Sequence, residues 1–131
     1  MAKLIHSMIR VFDVNRSIAF YKDALDLDVA QSFEFESFSL IYLRNSSSDF
    51  ELELTYNHDN SNHYTHGSGY GHIAVCVDDL DATHQRLIEL AMQPTDIKSM
   101  AYQEEPMAKF FFLTDPDGYK IEFLERLGRF Q

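Results

Sequence analysis

The sequence has few cysteines, few basic residues and no long hydrophobic run, and each shortage excludes a class of protein. Its 131 residues include one cysteine, Cys76, so no disulfide can form within the chain, and nothing indicates an oxidising compartment. Eleven Lys and Arg residues stand against twenty-one Asp and Glu, a formal net charge of -10. This charge repels nucleic-acid phosphates and anionic lipid headgroups. We therefore predict no nucleic-acid partner and no membrane partner.

The N-terminal segment also lacks the pattern of a signal peptide, because Arg10 interrupts it before an apolar core can form. Together with the single thiol, this predicts a soluble, cytoplasmic protein. The length suits one compact domain, and a composition that is 45% hydrophobic and 14% aromatic can bury a core. We expect one domain over residues 1–131.

Hydrophobic periodicity predicts the same series of elements twice along the chain. In the first half, a strand is followed by a helix that begins after Asp13 and ends near Leu25, and then by three strands. In the second half, a strand is followed by a helix that begins after Asp79, and again by three strands. The strands are predicted at 4–12, 29–35, 38–43 and 50–56, and then at 70–77, 96–102, 109–113 and 119–124.

Alignment of His6 with His72 tests this repeat residue by residue. Asp13 then meets Asp79, and the pairs Val11/Val77 and Ser17/Thr83 also match. Glu53 and Glu122 take equivalent places, each between two apolar residues. The sequence therefore predicts an α+β fold of two βαβββ modules, about 1–57 and about 70–126, joined by a polar linker over about 58–69.

Each module places a histidine on its first strand and a glutamate on its last, both among apolar neighbours. A carboxylate that points into a sheet costs several kcal/mol of desolvation unless it is paired or binds an ion. A single residue of this kind is usually structural, but the same pair occurs in both modules. We therefore predict that His6, Glu53, His72 and Glu122 bind one divalent metal ion. Mixed nitrogen and oxygen ligands favour Ni²⁺, Co²⁺, Zn²⁺ or Mn²⁺ over Ca²⁺.

At these residues the sequence resembles the glyoxalase I (lactoylglutathione lyase) branch of the vicinal-oxygen-chelate superfamily. The resemblance spans nearly the whole chain. It rests on five segments: His6-Ser-Met-Ile-Arg10-Val, Arg16-Ser-Ile-Ala-Phe-Tyr21, Glu53-Leu-Thr-Tyr-Asn57, Tyr70-Gly-His72-Ile-Ala-Val and Asp115-Pro-Asp-Gly-Tyr-Lys-Ile-Glu122.

The resemblance implies mixed sheets that form a metal-binding cup, completed in a homodimer. Each site would take His6 and Glu53 from one chain and His72 and Glu122 from the other. The implied reaction converts the hemithioacetal of a 2-oxoaldehyde, such as methylglyoxal, and a thiol into a 2-hydroxyacyl thioester, which detoxifies the aldehyde. Glu122, with Glu53 as its counterpart, would transfer the proton. The short bacterial-type members of the family favour Ni²⁺ or Co²⁺, with Zn²⁺ or Mn²⁺ as alternatives.

The resemblance also implies substrate contacts. Arg10 and Asn57 match positions that hold the glutamyl end of glutathione, and Met107 would pack over the substrate. The family often has a basic, glycine-rich loop in this last region, whereas this chain has Glu104 and Glu105. These two acids disfavour an anionic thiol terminus. Glutathione is the first candidate thiol, and the two acids add a glutathione derivative with a cationic extension, or a different thiol, as alternatives.

Two alternatives remain open from the sequence. One is a different enzyme on the same scaffold, an epimerase or an extradiol dioxygenase, although a dioxygenase iron site normally has three protein ligands rather than four. The other is a dimeric, non-catalytic binding protein of the bleomycin-resistance kind, which needs no metal.

Overall fold

The computed structural model describes residues 1–131 and contains two compact units, Met1–His66 and Gly67–Gln131. Each unit has the same order of elements: a strand, a helix and three strands. The repeated βαβββ module and the α+β class with mixed sheets, both predicted from the sequence, are therefore confirmed. No helix in the chain has both the length and the apolar character that crossing a membrane would require.

The first unit consists of β1 (His6–Arg10), α1 (Val14–Leu25), β2 (Asp28–Glu34), β3 (Phe38–Arg44) and β4 (Glu51–Asn57). Its sheet has the order β1-β4-β3-β2, in which only β1 and β4 are parallel. Helix α1 begins where the Asp13 carboxylate accepts a hydrogen bond from the backbone N–H of Arg16. It ends at Asp26, where the chain turns left-handed at φ 55°. The cap satisfies one of the donors that a helix start leaves open.

The second unit consists of β5 (Ile73–Val77), α2 (Leu80–Glu89), β6 (Lys98–Tyr102), β7 (Glu105–Thr114) and β8 (Lys120–Glu125). Its sheet has the equivalent order β5-β8-β7-β6, again with one parallel pair, β5 and β8. Asp79 caps α2 by accepting a hydrogen bond from the backbone N–H of Ala82 at 2.9 Å. The two caps confirm the helix starts predicted from the repeat.

In each unit, one face of the sheet and one face of the helix are buried together in the core. Helix α1 buries Tyr21 completely, and α2 likewise buries Leu87. In the second unit the rings of Phe111 and Phe123 stack at 4.8 Å with only 10° between their planes. Since side chains alternate along a strand, the opposite face of each sheet carries the remaining residues. The other fully buried core side chains are Val11, Leu43, Leu54, Leu80, Leu113 and Ile121.

Two predicted boundaries are wrong by three residues or more, whereas the others differ by at most two. Strand β5 begins at Ile73 rather than at residue 70, so His72 lies directly before the strand. Gly69 and Gly71 precede it. Glycine weakens a strand because it loses more backbone entropy on folding and has no side chain to pack. Strand β7 begins at Glu105 rather than at residue 109, so part of the expected loop is a hairpin.

The turn of this hairpin consists of Gln103 and Glu104, both with left-handed backbones at φ 50° and 69°. Such two-residue turns usually carry Asn, Asp or Gly, and their absence here removed the sequence signal. The pairing passes from Ala101 with Pro106 to Met100 with Ala108. Met107 is therefore the extra residue of a β-bulge.

Candidate metal centre

The predicted site residues of the first module lie on one face of its sheet. Strand β1 runs beside β4 with Met8 next to Glu53 and Arg10 next to Thr55. Because every second residue shares a face, His6 and Arg10 lie on the same side as Glu53 and Asn57. This is the face opposite to that of the buried Leu52 and Leu54. The alternating sequence of β4 therefore directs Leu52 and Leu54 into the core and Glu53 to the opposite face.

His6 and Glu53 meet in this unit, with Nε2 of the histidine 3.1 Å from Oε2 of the glutamate. Glu53 is only 8% exposed. Its other oxygen, Oε1, accepts a hydrogen bond from the hydroxyl of Tyr42 at 2.8 Å. That hydrogen bond to Glu53, followed by burial, raises the pKa of Tyr42 above its ordinary value. Both oxygens of this buried carboxylate thus have a partner, which offsets its desolvation.

His72 and Glu122 form the equivalent pair in the second unit, with Nε2 of the histidine 2.9 Å from Oε2 of the glutamate. The side chains are 42% and 17% exposed. Phe112 is the direct cross-strand neighbour of Glu122, and its ring packs edge-on against His72 at 5.3 Å. The second pair therefore repeats the first, with a phenylalanine in the place of Tyr42.

The donors in each pair suit a metal of the predicted kind. Imidazole nitrogen and carboxylate oxygen are ligands of first-row divalent ions. The nitrogen and oxygen of each pair lie 3.1 and 2.9 Å apart, close enough for both atoms to bind one ion at the usual distance of about 2.0–2.2 Å. Each pair supplies two donors, and no group of three or more His, Cys, Asp or Glu residues forms in the chain. The structure thus joins His6 to Glu53 and His72 to Glu122, each within its own unit.

The predicted substrate-binding residues of the first module lie farther along the same face. Arg10 is four residues from His6, and Asn57 is four residues from Glu53, which is about 13 Å along an extended strand. Arg10 is exposed, and Asn57 donates a side-chain hydrogen bond to the hydroxyl of Tyr64 at 3.0 Å. The spacing leaves room for a polar group of a substrate whose reactive end lies at the histidine.

Met107 and the acidic residues lie in the β6–β7 hairpin of the second unit. Met107 is 38% exposed at the bulge. Glu104 is in the turn and Glu105 begins β7, and both side chains are exposed. The strand from Glu105 to Phe112, beside Glu122, spans at most about 23 Å. The acids therefore lie at the far end of the strand that carries the neighbour of Glu122.

Sequence reasoning missed Tyr42, which touches both predicted ligands of the first module. Its ring packs edge-on against His6 at 5.9 Å while its hydroxyl binds Glu53. The structure places Tyr42 beside Glu53 and Phe112 beside Glu122, so the two modules differ there by one hydroxyl. This difference was not visible in the sequence, because the cross-strand register that gives Tyr42 and Phe112 equivalent places cannot be read from it.

Three of the four remaining histidines have ring contacts within their own units. The ring of His58 hydrogen-bonds to Ser39 Oγ at 2.8 Å and to the backbone carbonyl of Glu36 at 3.0 Å. His84 reaches the backbone carbonyl of Thr95 at 2.8 Å. His63 packs on the ring of Phe12 at 4.7 Å. These rings fasten loops and a helix to neighbouring elements.

The arrangement of these pairs on repeated modules defines a class of protein. The model of the Glyoxalase/Bleomycin resistance protein/Dioxygenase superfamily matches residues 3–123. The chain belongs to this superfamily.

Individual relatives narrow the class. A lactoylglutathione lyase from Haemophilus influenzae is 37% identical, covering 94% of this chain and 92% of its own. Another from Salmonella typhimurium is 34% identical, with the same coverage of both chains. The structure of a trypanothione-dependent glyoxalase I from Leishmania major superposes with a TM-score of 0.74 at 32% identity, covering 95% of this chain and 87% of that one. The protein is a glyoxalase I-like enzyme, as the sequence predicts.

Proposed function

We propose that the protein is a metal-dependent glyoxalase I that converts the hemithioacetal of methylglyoxal, or a similar 2-oxoaldehyde, and a thiol into a 2-hydroxyacyl thioester. The observation that carries the proposal is the occurrence of the same His–Glu pair in both modules, with nitrogen and oxygen 3.1 and 2.9 Å apart. The lactoylglutathione lyases among its relatives support the reaction class.

Each residue of the site has a role in this reaction. His6, Glu53, His72 and Glu122 would hold one divalent ion, with Ni²⁺ or Co²⁺ favoured. When bound, such an ion supplies a Lewis acid that stabilises negative charge on the substrate oxygens. Glu122 takes the proton from the carbon that bears the sulfur and returns it to the adjacent carbonyl carbon.

Other residues would position the substrate. Arg10 and Asn57 offer a guanidinium and an amide to the charged end of the thiol carrier, about 13 Å along the sheet from the histidine. Met107 supplies a flexible apolar side chain against the substrate.

We further propose that the enzyme is a cytoplasmic homodimer. Each pair supplies two protein ligands, whereas a catalytic site of this type uses three or more. One chain would contribute His6 and Glu53 to a site, and the second copy would contribute His72 and Glu122. The single cysteine fits a reducing compartment.

Removal and return of the metal test the activity. The protein is stripped with a chelator, reconstituted separately with Ni²⁺, Co²⁺, Zn²⁺ or Mn²⁺, and assayed by thioester absorbance with methylglyoxal and glutathione. We expect the stripped protein to lose its activity, and Ni²⁺ or Co²⁺ to restore most of it. Full activity in protein shown by elemental analysis to lack metal would contradict the mechanism. No turnover with any metal and any thiol would favour the epimerase or the binding protein instead.

A thiol with a cationic extension is a second candidate substrate, which the exposed acids Glu104 and Glu105 favour. A related structure at 32% identity is that of a trypanothione-dependent enzyme. Each carboxylate about 4 Å from an ammonium group contributes about 1 kcal/mol in water, and salt weakens this attraction.

Comparison of glutathione with an amine-extended glutathione tests this preference. We expect the wild type to have the higher kcat/KM for the amine-extended thiol at low salt, and the variant with Glu104→Gln and Glu105→Gln to lose most of that advantage. Glu89→Gln, at the exposed end of α2, is the matched control and should keep it. Equal kcat/KM values for both thiols in the wild type would exclude this candidate.

A further inference from the structure

The two ligand pairs differ by one hydroxyl group. Tyr42 and Phe112 occupy equivalent places, each as the direct cross-strand neighbour of a ligand glutamate, Glu53 or Glu122. Each ring also packs edge-on against the histidine of its own pair, at 5.9 Å in the first module and 5.3 Å in the second. The aromatic support is therefore the same, and only the first module adds a hydrogen-bond donor.

The Tyr42 hydroxyl donates a hydrogen bond to the oxygen of Glu53 that His6 does not contact. Oε2 of Glu53 lies 3.1 Å from His6, and Oε1 accepts the hydrogen bond from Tyr42 at 2.8 Å. Phe33, on β2 at the other edge of β3, packs edge-on against the Tyr42 ring at 6.3 Å, which restricts its rotation. A hydrogen bond from a phenol to a carboxylate is charge-assisted and stronger than a neutral one. Glu53 is thus held at Oε2 by His6 and at Oε1 by Tyr42, whose own ring is packed between neighbouring side chains.

Glu122 has more freedom. One of its oxygens lies 2.9 Å from His72, but its cross-strand neighbour Phe112 has no hydrogen atom to donate to the other oxygen. Glu122 is also the more exposed of the two carboxylates, 17% against 10% for the side chain. One oxygen of Glu122 is therefore available to a substrate, and none of Glu53 is.

We propose that Tyr42 is a positioning residue that makes the two ligand carboxylates unequal: it fixes Glu53 as a permanent metal ligand and leaves Glu122 as the carboxylate that accepts the substrate proton. The second part rests on the proposed function, whereas the first concerns metal binding alone. Because the two modules are repeats, Glu53 and Glu122 could both accept the substrate proton. The hydroxyl of Tyr42, on the strand beside Glu53, makes Glu122 the acceptor.

Two complementary variants test the proposal. Tyr42→Phe removes the hydroxyl and keeps the ring, and Phe112→Tyr adds a hydroxyl beside Glu122. Metal affinity is measured by competition with a chromogenic chelator, and kcat at saturating metal is measured separately. We expect Tyr42→Phe to weaken metal binding about tenfold or more, as loss of a partner behind a ligand usually does. We expect Phe112→Tyr to bind metal at least as tightly as the wild type and to lose at least about tenfold in kcat, a smaller loss than the roughly 10²–10⁴-fold expected for removal of a proton-transfer group.

Tyr56→Phe is the matched control, because it removes a hydroxyl from the other face of β4. It should leave metal affinity and kcat within about twofold of the wild type, and circular dichroism should show all three variants folded. If metal affinity were unchanged in Tyr42→Phe, the proposal that Tyr42 fixes Glu53 as a metal ligand would be wrong. If kcat were unchanged in Phe112→Tyr, the proposal that the missing hydroxyl leaves Glu122 as the proton acceptor would be wrong. The affinity result stands even if the wild type makes no thioester, so failure of this inference and failure of the proposed function are distinguishable.

Discussion

At the scale of single residues, the proposed chemistry depends on how two similar glutamates are surrounded. Glu53 is buried and bonded at both oxygens, whereas Glu122 has a phenylalanine as its cross-strand neighbour. A carboxylate that serves as a base needs an oxygen that can face the substrate in the Michaelis complex. We therefore propose different roles for the two glutamates.

This difference predicts the effect of neutralising Glu122. Glu122→Gln keeps the size of the side chain and one oxygen donor but removes the proton acceptor. We expect kcat to fall by about 10²–10⁴-fold, measured at saturating metal so that weaker metal binding does not contribute. Glu125→Gln, on the same strand, is the control and should retain nearly full activity. A kcat within tenfold of the wild type would exclude Glu122 as the base.

At the scale of elements, aspartate caps start both helices. Asp79 accepts a hydrogen bond from the N–H of Ala82 at 2.9 Å, as Asp13 does from Arg16 at 3.0 Å. We expect Asp79→Ala to lower the free energy of unfolding by about 1 kcal/mol, measured by urea denaturation. Asp79→Asn keeps an oxygen acceptor and should lose clearly less. Equal losses in both variants would assign the effect to charge rather than to the cap.

The β6–β7 hairpin stores backbone strain that can be relieved. Gln103 and Glu104 both have left-handed backbones, a conformation that costs an ordinary residue about 1–2 kcal/mol. We expect Glu104→Gly to raise the free energy of unfolding by about 1 kcal/mol, since glycine adopts this backbone without a Cβ clash. Glu104→Ala removes the same charge but keeps the clash, so it should give no such gain. If both variants were equally stabilised, the cause would be charge and not strain.

At the scale of the whole molecule, a shared site predicts complementation between inactive variants. One variant has His6→Ala and Glu53→Ala, and the other has His72→Ala and Glu122→Ala. If each site combines the first module of one chain with the second module of another, a mixed dimer contains one intact site. Random exchange makes half of the dimers mixed, so we expect about one quarter of wild-type activity.

This experiment requires that the subunits exchange. Exchange is established first by mixing differently tagged wild-type chains and recovering both on one affinity tag, and the wild-type mass is measured by sedimentation. Full exchange without recovered activity would show that each chain builds its sites alone.

Much of this architecture could be predicted because it is repeated. A single histidine or glutamate is ambiguous, but the alignment of His6 with His72 brought Glu53 and Glu122 into equivalent positions. The same alignment predicted both helix starts, since Asp13 and Asp79 cap by contacts only three residues away. Such short-range contacts can be predicted because both partners lie in the same short stretch of sequence.

The hairpin and Tyr42 could not be predicted for a common reason. The turn at Gln103 and Glu104 has no residue that favours a left-handed backbone, so pairing between β6 and β7 imposes it. The contact between Tyr42 and Glu53 joins residues eleven positions apart and depends on strand register. Both features follow from how strands pair, and no local pattern encodes them.

The sequence by itself determined the two modules, their helices and the four candidate ligands, because hydrophobic periodicity, caps and internal repetition act over short distances. Only the tertiary structure decided that the histidine and glutamate of each unit come into direct contact, at 3.1 and 2.9 Å. It also decided that a hydroxyl supports one glutamate and not the other. Side-chain atoms from different strands come within hydrogen-bond distance only once register and face are fixed, and these are properties of the folded sheet.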